Sequence, residues 1–428
     1  MPRRIFNFAP ILLQLVATLA AAQPTAPPAI SQWFQQPEAH LPGWKVQIDG
    51  PILSFPQRWL VALKAEANVH GAKLEDHDLY FFVKVADSKG NWIGERRFTS
   101  IQKLKKGTDL IVTEKFFAKP GDYTAALVVY DPGTGTHGMW KRPVHVPELD
   151  TPVAYPESDL VQFIDPENPF KPGTTPALPP LQNPKPLRMD IVLNLTERSD
   201  LEVENHTPIL PQRGRRGGWG SFQVLPDWQM NLPRQEFVTE TLLSIGDAIS
   251  VLPVNGCTRV TVIDAVRAKV LVDRRPVLDP STMLADVRER RATHKIDAHV
   301  LQLRQQAGTF LHNVLQTILA DNTGCGEPPF PSERVVVLVS DALVFPESKQ
   351  LTPVPQPAAE PPTKLYFFRT TIREYFQRIG VGRASTTSTY PDDQVGRLLS
   401  DLDVKRYDLS DPKDLQKALP RFLDALKQ

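Results

Sequence analysis

Cysteine is nearly missing from this 428-residue chain, which has two, Cys257 and Cys325. Two thiols exclude a fold built on a disulfide framework and any Cys-rich zinc or iron–sulfur module. Charge of one sign is missing as well: 49 basic side chains meet 48 acidic ones, for a net charge of +1. That balance argues against a protein built to bind polyanions, and no nucleic-acid partner is expected. The histidines fall in no HxxxH or HExxH spacing. No Gly-x-Ser-x-Gly elbow, P-loop or dinucleotide fingerprint occurs either. Beyond the first 22 residues no apolar run approaches the roughly 20 residues of a membrane span.

Proline is plentiful, at 42 residues. Proline breaks helices and cannot donate to a sheet ladder, so most of it belongs in linkers, turns and edge strands. Residues 1–22 read as a secretory signal peptide. Arg3 and Arg4 supply the charge, Ile5 to Leu19 the apolar segment, and Ala20, Ala21 and Ala22 the small residues of a cleavage site. Cleavage is expected before Gln23. No Cys follows the apolar run, which argues against a lipoprotein anchor. Arg3-Arg4-Ile5-Phe6 resembles the core of a twin-arginine signal, with ordinary Sec export the simpler reading. A secreted or periplasmic protein without a transmembrane segment after cleavage is expected.

The Pro, Ala and Gln-rich residues 23–41 are expected to be poorly ordered. Residues 42–147 show short alternating strands, such as Leu79 to Val85 and Tyr123 to Tyr130. Turn signals separate them, including Ser88-Lys89-Gly90-Asn91 and Pro120-Gly121-Asp122. That spacing predicts an antiparallel β-sandwich. Pro120-Gly121-Asp122-Tyr123 resembles the tyrosine corner of immunoglobulin-like sandwiches, in which the phenol bonds back to the backbone. Residues 148–188 hold ten prolines and read as a stiff linker, with a small packed patch between Asp159 and Asp165. From 189 to 428 apolar strands alternate with amphipathic helices. This pattern predicts an α/β doubly wound, Rossmann-like sheet.

This second half is similar to a von Willebrand factor A domain. The similarity rests on the strand Ile191 to Leu193, the closely spaced strands 259–263 and 269–272, Gly308-Thr309 opening a helix, and Val335-Val336-Val337-Leu338-Val339-Ser340-Asp341. Signal peptide, immunoglobulin-like sandwich, Pro-rich link and A-like domain together resemble a group of secreted bacterial proteins. The resemblance implies a metal-ion-dependent adhesion site at the C-terminal edge of the sheet. Such a site holds Mg²⁺ through carboxylates and hydroxyls and leaves one position open. Thr309 and Asp341 match two of its positions. The Asp-x-Ser-x-Ser motif is replaced by Asn194-Leu195-Thr196-Glu197-Arg198. Asn194 removes a carboxylate, Thr196 keeps a hydroxyl, and Arg198 adds a cation. At ~4 Å and an effective dielectric near 20, each such like-charge contact costs about 4 kcal/mol. A degenerate site is therefore expected, with Arg198 paired to Asp341 in place of an ion, and with no cofactor. A weakened metal site is the alternative, if Arg198 swings away or Glu197 swings in.

Arg213 to Gly220 is basic with Trp219 interleaved, and reads as an insertion loop near the same edge. In the A-domain order Cys257 and Cys325 both fall at the opposite edge, across the central first strand. Export favours their pairing as a disulfide. The functional expectation is a non-catalytic protein-binding or scaffold protein of the envelope or extracellular space, whose partners are other envelope or secreted proteins. The alternative is an envelope hydrolase using carboxylates such as Asp264 and Asp341 at the sheet edge.

Overall fold

Strict alternation in β2 (Trp59–Ala67) buries Val61, Leu63, Ala65 and Ala67 and turns Lys64 and Glu66 outward. The computed structural model describes residues 30–54, 58–67, 79–100, 110–149, 160–164, 186–196, 227–252, 254–293, 302–321, 323, 333–345, 351–356, 363–370 and 393–427. The chain is β-rich and multidomain, with two antiparallel sheets and one mixed sheet. One antiparallel sheet orders β1 (Trp44–Leu53), β2, β5 (Leu110–Ala118) and β8 (Val161–Phe163). The other orders β4 (Trp92–Ser100), β3 (Leu79–Asp87), β6 (Gly121–Asp131) and β7 (Thr136–Val146). Leu63 and Leu110 of the first share a core with Phe81, Leu127, Val129 and Trp140 of the second.

The expected tyrosine bond is present. Pro120-Gly121 makes the turn, with Gly121 at φ +147°, and the Tyr123 hydroxyl donates to the Lys119 carbonyl at 2.8 Å. Packed residues extend beyond 42–147 at both ends of the sandwich. Residues 30–41, expected to be poorly ordered, instead pack on the outer face of the β4-β3-β6-β7 sheet. The turn α1 (Ile30–Trp33) and Phe34 bury against Phe82, Ala126, Val128 and Met139. Glu38 accepts from the Lys141 N–H at 2.5 Å, and Ala39 bridges Met139. Their Pro and Gln content concealed two large apolar anchors with a sheet face to cover. Within the Pro-rich stretch, Val161–Phe163 adds β8 to the edge of β5, at the expected packed patch. The signal peptide, the rest of the linker and the basic loop lie outside the described residues.

The mixed sheet has the order β11-β10-β9-β12-β13-β14. These strands are β9 (Leu187–Asn194), β10 (Gly256–Asp264), β11 (Lys269–Arg275), β12 (Glu333–Asp341), β13 (Thr363–Thr370) and β14 (Val404–Leu409). All neighbours are parallel except β11, which runs antiparallel to β10 at the edge. Central β9 is buried on both faces, which parallel strands require. Leu187, Met189, Ile191 and Leu193 face a core with α2 (Asp227–Ser250), α3 (Pro280–Thr293) and α6 (Pro412–Lys427). Val192 faces α4 (Ala307–Ala320) and α5 (Gln394–Leu398) in a second core. Gly256 permits the close start of the β9–β10 pair: at φ +141°, a Cβ there would stand 2.0 Å from the Leu187 carbonyl oxygen.

On the α4 side β9 is polar at both ends. At its start Arg188 and Asp190 join Arg259 of β10 and Arg334 of β12. Asp190 accepts ion pairs from Arg188 at 2.9 Å, Arg259 at 3.1 Å and Arg334 at 3.3 Å. Asp321, just beyond α4, pairs with Arg188 at 3.0 Å and Arg259 at 3.1 Å. Arg334 also donates to the Ile318 and Leu319 carbonyls. Guanidiniums at the C-terminal end of a helix satisfy its last carbonyls and oppose its dipole. The network therefore fastens α4 to three strands.

Candidate functional site

The opposite, C-terminal edge holds the residues singled out for the adhesion-type site. Asn194 ends β9 on the same face as Ser340 of β12, because parallel pairing puts alternate residues of neighbouring strands side by side. The Asn194 Nδ2 donates to the Ser340 Oγ at 3.0 Å, and the Ser340 hydroxyl donates to the Asp341 carbonyl at 3.0 Å. The Asn194 Oδ1 accepts the Thr196 N–H at 3.2 Å, a local Asx turn that carries the chain off the strand. The Leu195 N–H then donates to the Ile263 carbonyl at 2.9 Å. The Thr196 Oγ1 accepts the Ala265 N–H at 2.6 Å. Asn194, Thr196 and Ser340 are each fully buried.

Asp341 is half-buried at the end of β12. Its Oδ1 accepts the Ala342 N–H at 2.9 Å and the Thr370 hydroxyl at 3.3 Å. Thr370 ends β13 opposite Asp341. Hydrogen bonds thus run along four strand ends, from Ala265 beyond β10 through Asn194 and Ser340 to Asp341 and Thr370. Thr309 is exposed in the first turn of α4, beside Gly308, which packs closely on Phe345 and Leu351. Glu197 and Arg198 lie outside the described residues, as does the expected contact of Arg198 with Asp341. Asp264, named for the hydrolase alternative, engages Arg267 with both oxygens: Oδ2 meets Nη1 at 2.6 Å and Oδ1 accepts the backbone N–H at 3.3 Å.

Among the described residues the donor set does not suit Mg²⁺. That ion demands near-octahedral oxygen ligands, usually including carboxylates. Here the Asn194 Oδ1 and the Thr196 Oγ1 both face backbone N–H groups, the arrangement of a satisfied strand end. Among the described residues no group of three or more His, Cys, Asp or Glu side chains is arranged to hold a metal. Cys257 opens β10 at the other edge and is not a free thiol; Cys325 lies outside the described residues.

Sequence reasoning named Asn194, Thr196 and Asp341 but missed Ser340 and Thr370, which join them. Ser340 stood in the matched strand run without a role and Thr370 stood outside it; strand register makes them neighbours of the named residues. It also missed the Arg188–Asp190–Arg259–Arg334–Asp321 network. A signal was available: Arg188 and Asp190 are charges inside a strand that otherwise reads as a buried apolar run.

No protein-family model matches this sequence, and neither does any curated protein. Among solved structures, the C-terminal domain of wzt shares 11% identity over 27% of this chain and 85% of its own, with a TM-score of 0.17. A β-glucuronidase of Bacteroides uniformis shares 9% identity over 78% of this chain and 38% of its own, with a TM-score of 0.19. A glycosyl hydrolase family 2 member from Bacteroides cellulosilyticus shares 10% identity over 87% and 44%, with a TM-score of 0.20. This chain spans less than half the length of either glycosidase, and superpositions this poor carry no argument about fold or activity.

Proposed function

We propose that this chain is an exported, non-catalytic protein-binding or scaffold protein of the cell envelope or extracellular space. In this reading an immunoglobulin-like sandwich precedes a von Willebrand factor A-like domain whose adhesion site has lost its need for a cation. The spatial strand order supports the second assignment. Numbered from β9, it runs third, second, first, fourth, fifth, sixth, the doubly wound order, with the third strand antiparallel. The Tyr123–Lys119 bond supports the first.

The observation that carries the functional reading is the commitment of Asn194 and Thr196 to backbone and Ser340. The edge is held by neutral hydrogen bonds where a cation would otherwise organise it. An edge held internally in this way needs no cation to keep its shape, so affinity for a partner docked there is expected to be insensitive to chelators. Calorimetry of the exported chain with MgCl₂ tests this. No heat of binding is expected at millimolar Mg²⁺ for the wild type. Binding is expected on changing Asn194→Asp together with Arg198→Ser. Mg²⁺ binding by the wild type that disappears in Asp341→Ala would overturn the reading.

A further inference from the structure

We propose that the shallow groove between β11 and α4, at the N-terminal edge of the mixed sheet, binds a small oxyanion carried as a phosphate or carboxylate group, with Arg274 as its main contact. The first observation is a charge count. Among the described residues four guanidiniums, Arg188, Arg259, Arg274 and Arg334, surround two buried carboxylates, Asp190 and Asp321. Asp273 adds a third acid, but it is exposed and 3.7 Å from the Arg274 Nε. The Asp321, Thr323, Leu319 and Ile318 carbonyls at the end of α4 satisfy Arg188 and Arg334, whereas Arg274, 36% exposed, is the cation that reaches the groove and a ligand. Asp321 does not repel such an anion strongly, because its Oδ2 is shared by Arg188, Arg259 and Arg274.

The second observation is backbone strain at Arg274. Val260 pairs with Arg275 and Val262 with Val272, so Thr261 faces an extra residue across a β-bulge. Arg274 sits in that bulge at φ +49°, a conformation that glycine adopts freely and a side chain resists. The bulge aims the guanidinium across the groove, with Nη1 3.2 Å from the Asp321 Oδ2. Strain of this kind is characteristic of ligand clamps. The third observation is the lining. Asn313, Gln316, Thr317 and Ala320 of α4 line the groove with Arg274 and Asp321 over about 600 Å³; the Asn313 and Gln316 amides supply donors for a small anion and its waters, while the Thr317 hydroxyl already donates to the Asn313 carbonyl at 2.8 Å. A planar guanidinium with amide neighbours suits the paired oxygens of carboxylate or phosphate. The inference is independent of the adhesion-type reading, which concerns the other edge of the sheet.

The test is thermal unfolding of the exported chain in inorganic phosphate or acetate, against chloride at matched ionic strength. A saturable rise in Tm is expected in at least one of them. A response to phosphate alone assigns a phosphate-bearing ligand, and a response to acetate alone a carboxylate. Arg274→Gln should raise the half-saturating concentration ~10-fold or more, the effect of losing one charged hydrogen bond. Arg274→Gly keeps the bulge and relieves its φ, so it should unfold at a higher temperature without anion yet lose the same response. No rise beyond that in chloride, or equal half-saturation in wild type and both variants, would overturn the proposal.

Discussion

Asn194 and Ser340 share a side-chain hydrogen bond of 3.0 Å between neighbouring strand ends, where neither residue is exposed to solvent. The amide that replaces a carboxylate in the motif is thereby structural. Asn194→Ala would leave the Ser340 hydroxyl and the Thr196 N–H short of a partner. A loss of about 1–3 kcal/mol is expected by urea unfolding. In a double-mutant cycle with Ser340→Ala the two losses should not add; additivity would show that the bond contributes nothing.

Asp321 should make stability sensitive to acid. Burial pushes its carboxyl upward, but the hydroxyl and N–H of Thr323 and the charges of Arg188 and Arg259 outweigh that and hold it well below the usual carboxylate range. A depressed acid contributes stability that is fully present above its unfolded pKa, about 3.9, and is lost as pH falls through the lower folded value. Asp321→Asn should cost about 3–5 kcal/mol at pH 7, and the gap to wild type should narrow below about pH 4. A gap that does not change with pH would refute this assignment.

Glu114 should behave in the opposite sense. It faces the inside of the sandwich, where burial raises its pKa although Arg96 lies 3.2 Å away and opposes the shift. A raised carboxyl contributes stability present below its unfolded pKa and lost as pH rises through its folded one. Glu114→Gln should therefore compare more favourably with wild type at pH 7 than at pH 4. Chemical denaturation at the two pH values decides it, and the reverse order would show that the Arg96 pair dominates.

Tyr123→Phe removes one hydrogen bond and little volume. A loss of about 1 kcal/mol is expected, as a lower denaturation midpoint with an unchanged slope. No loss would mean that water satisfies the Lys119 carbonyl equally well.

The proposed pairing of Cys257 with Cys325 predicts one cross-linked peptide pair in a non-reducing digest of exported protein. It also predicts two alkylated cysteines only after reduction and unfolding. Full alkylation of unreduced, unfolded protein would exclude the bond.

Period and punctuation carried most of the secondary structure. The β-branched and aromatic runs Leu79 to Val85 and Val335 to Val339 each announced a strand, the first with Tyr80 and Lys84 as its polar interruptions and the second apolar throughout. Neither depended on distant residues. The Pro-Gly turn before Tyr123 likewise announced its hydrogen bond, since turn and bond lie within five residues. Helix α3 was not foreseen, because among its described side chains Met283, Leu284 and Val287 alone join the core and its charged sequence has weak periodicity. Packing of residues 30–41 was invisible for a different reason. Two apolar anchors among Pro and Gln become ordered only when a sheet face stands ready to receive them. The candidate site divides in the same way. Asn194, Thr196 and Asp341 could be chosen from the sequence because a motif has spacing. Their joining through Ser340 and Thr370, and the gathering of Arg188, Arg259, Arg274 and Arg334 about two aspartates, were decided by the tertiary structure. Strand register and a single bulge set which side chains meet, and those are properties of pairs of strands that no one segment contains.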